Sequence, residues 1–278
     1  MAVQNQLQDV IDAPSSTLLD NPIYAALTTD HAHLALGGDH ARRYPEDIGP
    51  LSGIPAQSAD AYDALRSVTS PGGVVALFLL ESPRPSAGWT SVRGGLLHQM
   101  IASQPSTQPA VLADGAQLRP LTSADVPAMI ELAELTEPGP FRRRTIELGA
   151  FFGIVQSGRL LAMAGKRLHL PGFIEVSAVC THPDARGRGY ARVLMSRVID
   201  EIVQSGNTPI LHTFADNHSA IRVYHELGFT VRQSFQLAVL RRDDEHDTPV
   251  IEQITSVPCN IPGAPCKTLG HESARAHD

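Results

Sequence analysis

This sequence predicts a mixed α/β fold, and three observations predict it. Apolar runs of strand length recur at Phe151–Gln156, Leu160–Leu168 and Phe173–Val179, parted by the turn residues Gly158 and Pro171-Gly172. A helical period follows in Val193, Leu194, Val198, Ile199 and Ile202. Strand and helix patterns then alternate once more, the ordering of a sheet with packed helices and not of repeated modules. With 278 residues, 42% of them hydrophobic, the chain can bury a sizeable core and has the size of about two domains.

Residues 1–110 read as an amino-terminal α/β domain of uncertain role. Leu18–Leu36 and Ala59–Val68 carry helical patterns, Val74–Leu80 suits a buried strand, and Trp89–Met100 adds further sheet or helix. The segment SQPSTQP, Ser103–Pro109, mixes polar residues with prolines and puts a linker near residue 110.

Residues 115–242 form the more legible domain. Leu118–Leu121 is a short strand. Ser123 is placed to cap a helix with the apolar face Val126, Met129, Ile130 and Ala133, whose opening turn accommodates Pro127. The later helix ends at Gly206, Pro209–Phe214 is extended, and Asn217 caps a last helix running through Ile221 and Tyr224 to Leu227. Gly228 stops it before Phe229 returns to strand. Residues 243–278, rich in Pro, His and acidic side chains, read as a carboxyl-terminal extension with one short candidate strand, VIEQI.

The 22 Lys and Arg against 29 Asp and Glu give a net charge of -7, which supplies no global attraction to nucleic acid or to an anionic membrane. The opening MAVQNQLQDVIDAPSS has neither a basic leader nor a continuous apolar segment, and the apolar run VVALFLL is too short to span a bilayer as a helix. Cys180, Cys259 and Cys266 supply neither a disulfide framework nor CxxC metal spacing. The expectation is a cytoplasmic protein with no membrane or nucleic-acid partner and no metal; nothing in the sequence speaks to its oligomeric state.

Chemistry concentrates in VCTHPDARGRGYARVLMSRVIDEI, Val179–Ile202. A strand leads into two close glycines and then a helix, an arrangement that turns successive backbone N–H groups toward an anion. Gly187 and Gly189 permit unusual torsions, and the helix dipole adds to the field. Arg186 and Arg188 could strengthen a phosphate site or simply be solvated. By itself a GRG turn is as readily structural. The stretch is not a dinucleotide fingerprint, because Arg192 stands where GxGxxG needs its last glycine, and it lacks the GK[ST] ending of a P-loop.

A second constellation is LHTFADNHSAIRVYHELGF, Leu211–Phe229, in which Tyr224 lies about two helical turns after Asn217. A lone tyrosine on such a helix is ordinarily a packing residue. Together, however, Arg186-Gly187-Arg188-Gly189-Tyr190-Ala191 matches the pattern [QR]xxGx[GA], and Asn217, Ala220, Tyr224, Gly228 and Phe229 match NxxAxxxYxxxGF. On these paired motifs the sequence closely resembles the GCN5-related N-acetyltransferase (GNAT) superfamily, in its FR47-like branch, over roughly Gly115 to Arg242.

The resemblance implies a mixed, splayed sheet of the GNAT acyl-CoA acyltransferase type that takes acetyl-CoA between two parallel strands. It also implies an amino-terminal α/β domain similar to the degenerate GNAT-like unit of some two-domain members. Val179 would align the pantetheine, Arg186, Gly187, Arg188, Gly189, Tyr190 and Ala191 would cradle the pyrophosphate, and Asn217 would stand near the cofactor arm. Tyr224 matches the tyrosine that protonates the departing thiolate, and Glu175 resembles a glutamate used as base. The implied reaction is direct acetyl transfer to a primary amine on an amino acid or small metabolite.

Alternation puts Glu175, Ser177 and Val179 on one side of their strand unless a bulge intervenes, so substrate binding or structure stays open for Glu175. His182 suits a turn role beside Pro183. His212, His218 and His225 lack HExxH spacing, and Cys180 reads as a buried strand thiol. The basic PGPFRRR, Pro138–Arg144, could draw a carboxylate or form a solvated turn. The alternative to an enzyme is a noncatalytic acyl-CoA-binding or interaction protein.

Overall fold

The computed structural model describes residues 15–106, 112 and 115–244, which all belong to one compact unit. The extension from 245 onward, with VIEQI, Cys259 and Cys266, lies outside the described residues, as does most of the second half of Ser103–Pro109. Among the described residues no helix is long and apolar enough to cross a membrane.

The helices are α1 (Ser15–Leu19), α2 (Pro22–Thr28), α3 (Ala59–Ser67), α4 (Val126–Thr136), α5 (Tyr190–Gln204) and α6 (His218–Glu226). A small sheet joins β1 (Leu36–Gly38), β2 (Ala41–Arg43) and β3 (Ser52–Gly53). The main sheet holds β4 (Val74–Leu79), β5 (Trp89–Ile101), β6 (Ala116–Leu121), β7 (Phe151–Gln156), β8 (Arg159–Leu170), β9 (Phe173–Thr181), β10 (Thr208–Phe214) and β11 (Thr230–Arg242). Their spatial order is β4-β11-β5-β10-β9-β8-β7-β6.

That order corrects the expected division near residue 110. Strand β5 pairs with β11 along nearly its whole length and with β10 at its far end, so the amino-terminal region completes the main sheet and does not stand as a domain beside it. The physical reason lies in the apolar runs. Val75 to Leu79 are buried, a condition β4 meets by pairing with β11 and covering one face with α3. A separate degenerate unit in this region does not fit the described residues.

The carboxyl-terminal half follows its sequence pattern closely. Val193, Leu194, Val198, Ile199 and Ile202 of α5 are buried against Ile154, Ala162, Val176 and Leu211 of the sheet. Burying each such side chain stabilises by roughly 1.5–3 kcal/mol. Gly206, at φ 77, ends the helix in the left-handed conformation that favours glycine. One cap differs from expectation. Thr122, not Ser123, caps the start of the α4 region, because the Asp125 carboxylate returns a bond to the Thr122 amide at 2.8 Å and closes a capping box around an initial 3-10 turn.

Candidate active site

The site begins where two parallel strands part. β9 and β10 pair from Phe173↔Thr208 to Glu175↔Ile210 and then separate, although β9 runs on to Thr181 and β10 to Phe214. Past Glu175, the side of β9 that faces β10 has no partner strand. Here β9 also carries an extra residue relative to β8: Gly165 pairs with Ser177 and Met163 with Cys180, and Ala178 between them sits at φ 52. A left-handed non-glycine residue costs on the order of 1–3 kcal/mol and marks a bulge that re-aims its neighbours. The bulge breaks the unbroken alternation expected for Glu175, Ser177 and Val179.

A cavity of about 840 Å³ occupies the opening. Its wall includes Val176, Ser177 and Val179 from β9, His212 and Thr213 from β10, and Tyr224 from α6. Asn217 reaches it as well, while its Oδ1 accepts the Ala220 amide at 3.3 Å and caps α6. Val179, Asn217 and Tyr224 are thus brought to one place. Burial raises the pKa of the Tyr224 hydroxyl, offset only in part by the Thr213 side chain, so it keeps its proton through the neutral range.

Beyond the cavity wall, the turn that follows β9 presents bare amides. Gly187 and Gly189 both adopt φ 75, and a methyl group at either position would meet no atom within 4 Å. Among the described residues the amides of Gly187, Arg188, Gly189, Tyr190 and Ala191 donate to no protein acceptor, the first bond of α5 being Val193 N–H to Gly189 at 3.1 Å. The unfilled space, the left-handed glycines and the free donors fit a bound pyrophosphate. Tyr190 takes part only through its main chain, since its ring is buried in the core under α5. Arg186 is exposed, and Arg188 donates to the Asp184 carbonyl at 3.1 Å.

Glu175 departs from the reading as an open base. It is wholly buried, and Arg167 grips it with Nε and Nη2, each at 2.7 Å. Burial alone would push the carboxyl up, but Arg167 and a 2.7 Å bond from His212 Nδ1 outweigh it and hold the pKa at about 2. Such a carboxylate has little tendency to take a proton. The polar chain continues: Gln99 Nε2 donates to His212 Nε2 at 3.1 Å and to the Leu19 carbonyl at 3.0 Å, Arg232 donates to Gln99 Oε1 at 3.0 Å, and Arg232 also holds Asp20 at 2.8 Å. In this pattern His212 donates from Nδ1 and accepts at Nε2, so both nitrogens are occupied.

The remaining candidates fall into structural places. Cys180 is buried, and burial raises its thiol pKa to about 11, which disfavours the thiolate. His182 Nδ1 accepts the Asp184 amide at 3.1 Å and shapes the turn. His225 Nδ1 bonds the Phe229 carbonyl at 2.9 Å. In PGPFRRR, Arg143 and Arg144 pair with Asp47, Phe141 is buried against Phe151, and Arg142 lines the cavity. Among the described residues no group of His, Cys, Asp and Glu is arranged to hold a metal.

Comparison with known proteins decides the family. The profile of the FR47-like protein family matches residues 151–237. The crystal structure of a GNAT-family protein from Novosphingobium aromaticivorans is 36% identical, covers 81% of this chain and 98% of its own, and superposes with a TM-score of 0.74. The chain belongs to the GNAT superfamily. Within it, a GCN5-related N-acetyltransferase from Kribbella flavida shares the fold at 15% identity and a TM-score of 0.53, with 81% of this chain and 96% of that one covered. A mycothiol acetyltransferase of Mycobacteroides abscessus is 36% identical over 80 residues, 28% of this chain and 27% of that protein. An L-methionine sulfoximine/L-methionine sulfone acetyltransferase of Salmonella typhimurium is 40% identical over 55 residues, 19% of this chain and 32% of that protein. The chain therefore matches about a quarter to a third of the length of these two enzymes.

In this GNAT chain the GNAT motifs name one side of the cavity, and the rest is contributed from elsewhere. Arg43, Arg167, Gln99 and His212 belong to the site or its support, yet no motif marks them as a group. Arg167 leaves one signal: with Lys166 it breaks the apolar run of β8, on a segment where β8 itself carries an extra residue between its Lys166–Val176 and His169–Ile174 pairs. Arg43 leaves none, because its burial is decided by contacts with segments distant in sequence.

Proposed function

We propose that this chain transfers an acetyl group from acetyl-CoA directly to a primary amine on an amino acid or small metabolite. The observation that carries the reading is the union, in one cavity, of the β9–β10 opening with the protonated Tyr224 hydroxyl. Acetyl-CoA, when bound, supplies a thioester open to attack by an amine. The amides of Gly187 to Ala191 receive the pyrophosphate, and the free side of β9 around Val179 lines up the pantetheine arm and offers an N–H to the carbonyl oxygen, where negative charge develops. Asn217 fixes the start of α6 and so the place of Tyr224. The Tyr224 hydroxyl gives its proton to the departing thiolate and is restored by the proton that the attacking nitrogen sheds. Glu175 serves as a positioning residue, fixing Arg167 and His212 on either side of the opening.

A screen of amines, measuring CoA release and acylated product by mass spectrometry, tests the activity. With an acceptor in hand, Tyr224→Phe should slow the chemical step about tenfold to a hundredfold in rapid-mixing measurements, with acetyl-CoA affinity little changed. Tight acetyl-CoA binding without product across the screen would leave a binding protein instead. An unchanged chemical rate and pH profile in Tyr224→Phe would return Tyr224 to a packing role.

A further inference from the structure

Facing the opening, the cavity wall carries guanidinium groups that the donor half does not use. Arg43 is only 1% exposed; its Nε donates to the Tyr44 carbonyl at 3.2 Å, Glu46 stands 3.7 Å from Nη1, and Nη2 is buried with no hydrogen-bond partner. Arg167, 14% exposed, spends Nε and Nη2 on Glu175, and its Nη1 has no partner among the described residues. Both line the cavity that contains Tyr224. A buried guanidinium nitrogen without an acceptor, as Arg43 Nη2 is, is costly to leave so, and with the open Nη1 of Arg167 on the same wall it points to an anion that completes both.

The donor's phosphates do not meet this need, because their amide cradle at 187–191 lies outside the cavity wall and the acyl end of the donor is uncharged. The charge on the wall also limits the anion. Arg93 and Arg142 line the cavity too, but Glu46, Glu137 and Glu175 offset most of the guanidinium charge, so what remains suits a single negative charge more than a phosphate dianion. We infer that the acceptor amine carries a carboxylate, as an amino acid does, and that Arg43 together with Arg167 seats it. This rests on the acetyl-transfer reading above and deepens it.

The test pairs each of the standard free L-amino acids with its carboxamide, adds O-phosphoethanolamine as a dianionic amine, and measures acetyl transfer beside acetyl-CoA affinity by calorimetry. At least one free amino acid should exceed its carboxamide by about a hundredfold in kcat/KM, mostly through KM. In Arg43→Gln that preference should fall below about tenfold, through the carboxylate substrate alone, with acetyl-CoA affinity unchanged; Arg43→Lys should retain most of it. Thermal stabilisation of the wild-type protein with CoA present should be larger with the N-acetyl amino acid than with its carboxamide, a readout that holds even if Arg43→Gln does not fold. Equal or better use of carboxamides or O-phosphoethanolamine overturns the carboxylate seat, and so does an equal loss for both substrates in folded Arg43→Gln. Acetyl-CoA binding with no amino acid acetylated also overturns the seat alone, whereas failure of acetyl-CoA to bind overturns the transferase reading beneath it.

Discussion

Along the proposed donor side, one continuous stretch from Val179 to Ala191 presents main-chain groups: an unpaired strand edge and a run of free amides around Gly187 and Gly189. The proposed acceptor side is assembled from side chains far apart in sequence, among them Arg43 of β2, Arg167 of β8 and His212 of β10. The donor half depends on backbone geometry that glycine makes accessible. The acceptor half depends on buried charge, and its residues hold their shape only while each partner stays in place. A side built from main chain should tolerate side-chain changes that leave its torsions alone, and a side built from buried charge should not.

The largest effect expected from this contrast is at Glu175. Removing it in Glu175→Ala strands Arg167 and loosens His212, and breaking a buried pair in this way costs about 3–5 kcal/mol of stability. Urea unfolding measures it. A loss below 1 kcal/mol would mean that the acceptor side does not rest on this pair.

The next effect is on pH dependence. His31, bonded to the Tyr44 hydroxyl at 2.7 Å beside Arg43, has its pKa lowered to about 4 by burial and then by the neighbouring His169 and His33. Between pH 6.5 and 4 the unfolded chain takes up a proton at this site that the folded chain refuses. Stability should therefore fall as pH drops through that window, by about 3 kcal/mol, and His31→Gln should flatten the slope. A further loss should set in as pH falls through about 4.5 and continue to about 2, as Glu175, ionised down to about 2 when folded, becomes protonated in the unfolded chain. Denaturation curves across pH would show both steps, and an equal slope in His31→Gln would reject the assignment.

The smallest effect is on the donor side. Gly189→Val must hold a β-branched residue at φ 75, a strain of about 1–2 kcal/mol, and should weaken acetyl-CoA binding about tenfold. Arg188→Lys, which leaves the torsions alone, should stay within about twofold. Calorimetry on the two folded variants sharpens the contrast, and the reverse order would refute it.

The same contrast explains what could be read before the fold was known. Residues 151–229 announce their strands and helices through local periodicity and glycine placement, and the loop at 186–191 is legible because its left-handed glycines and open amides need particular residues at consecutive positions. Tyr224 could be found through its spacing from Asn217. Glu175 was visible, but its partner Arg167 was not, and the partner decides that the carboxylate is occupied instead of free to act as a base. The amino-terminal strands were recognisable as strands. Their insertion beside β11 and β10 was not, since pairing between residues such as Arg93 and Val239 leaves no local trace.

The pairing of β5 with both β10 and β11 has a practical consequence for anyone wishing to work with the motif-bearing portion alone. A fragment starting near residue 115 would forfeit the middle of its own sheet. β10 and β11 would each expose a row of open main-chain groups to other molecules, an invitation to self-association. The fragment would also lack Gln99 and Leu19 behind His212 and the whole Arg43 wall, so such an excised piece could retain the motifs and still have no substrate site.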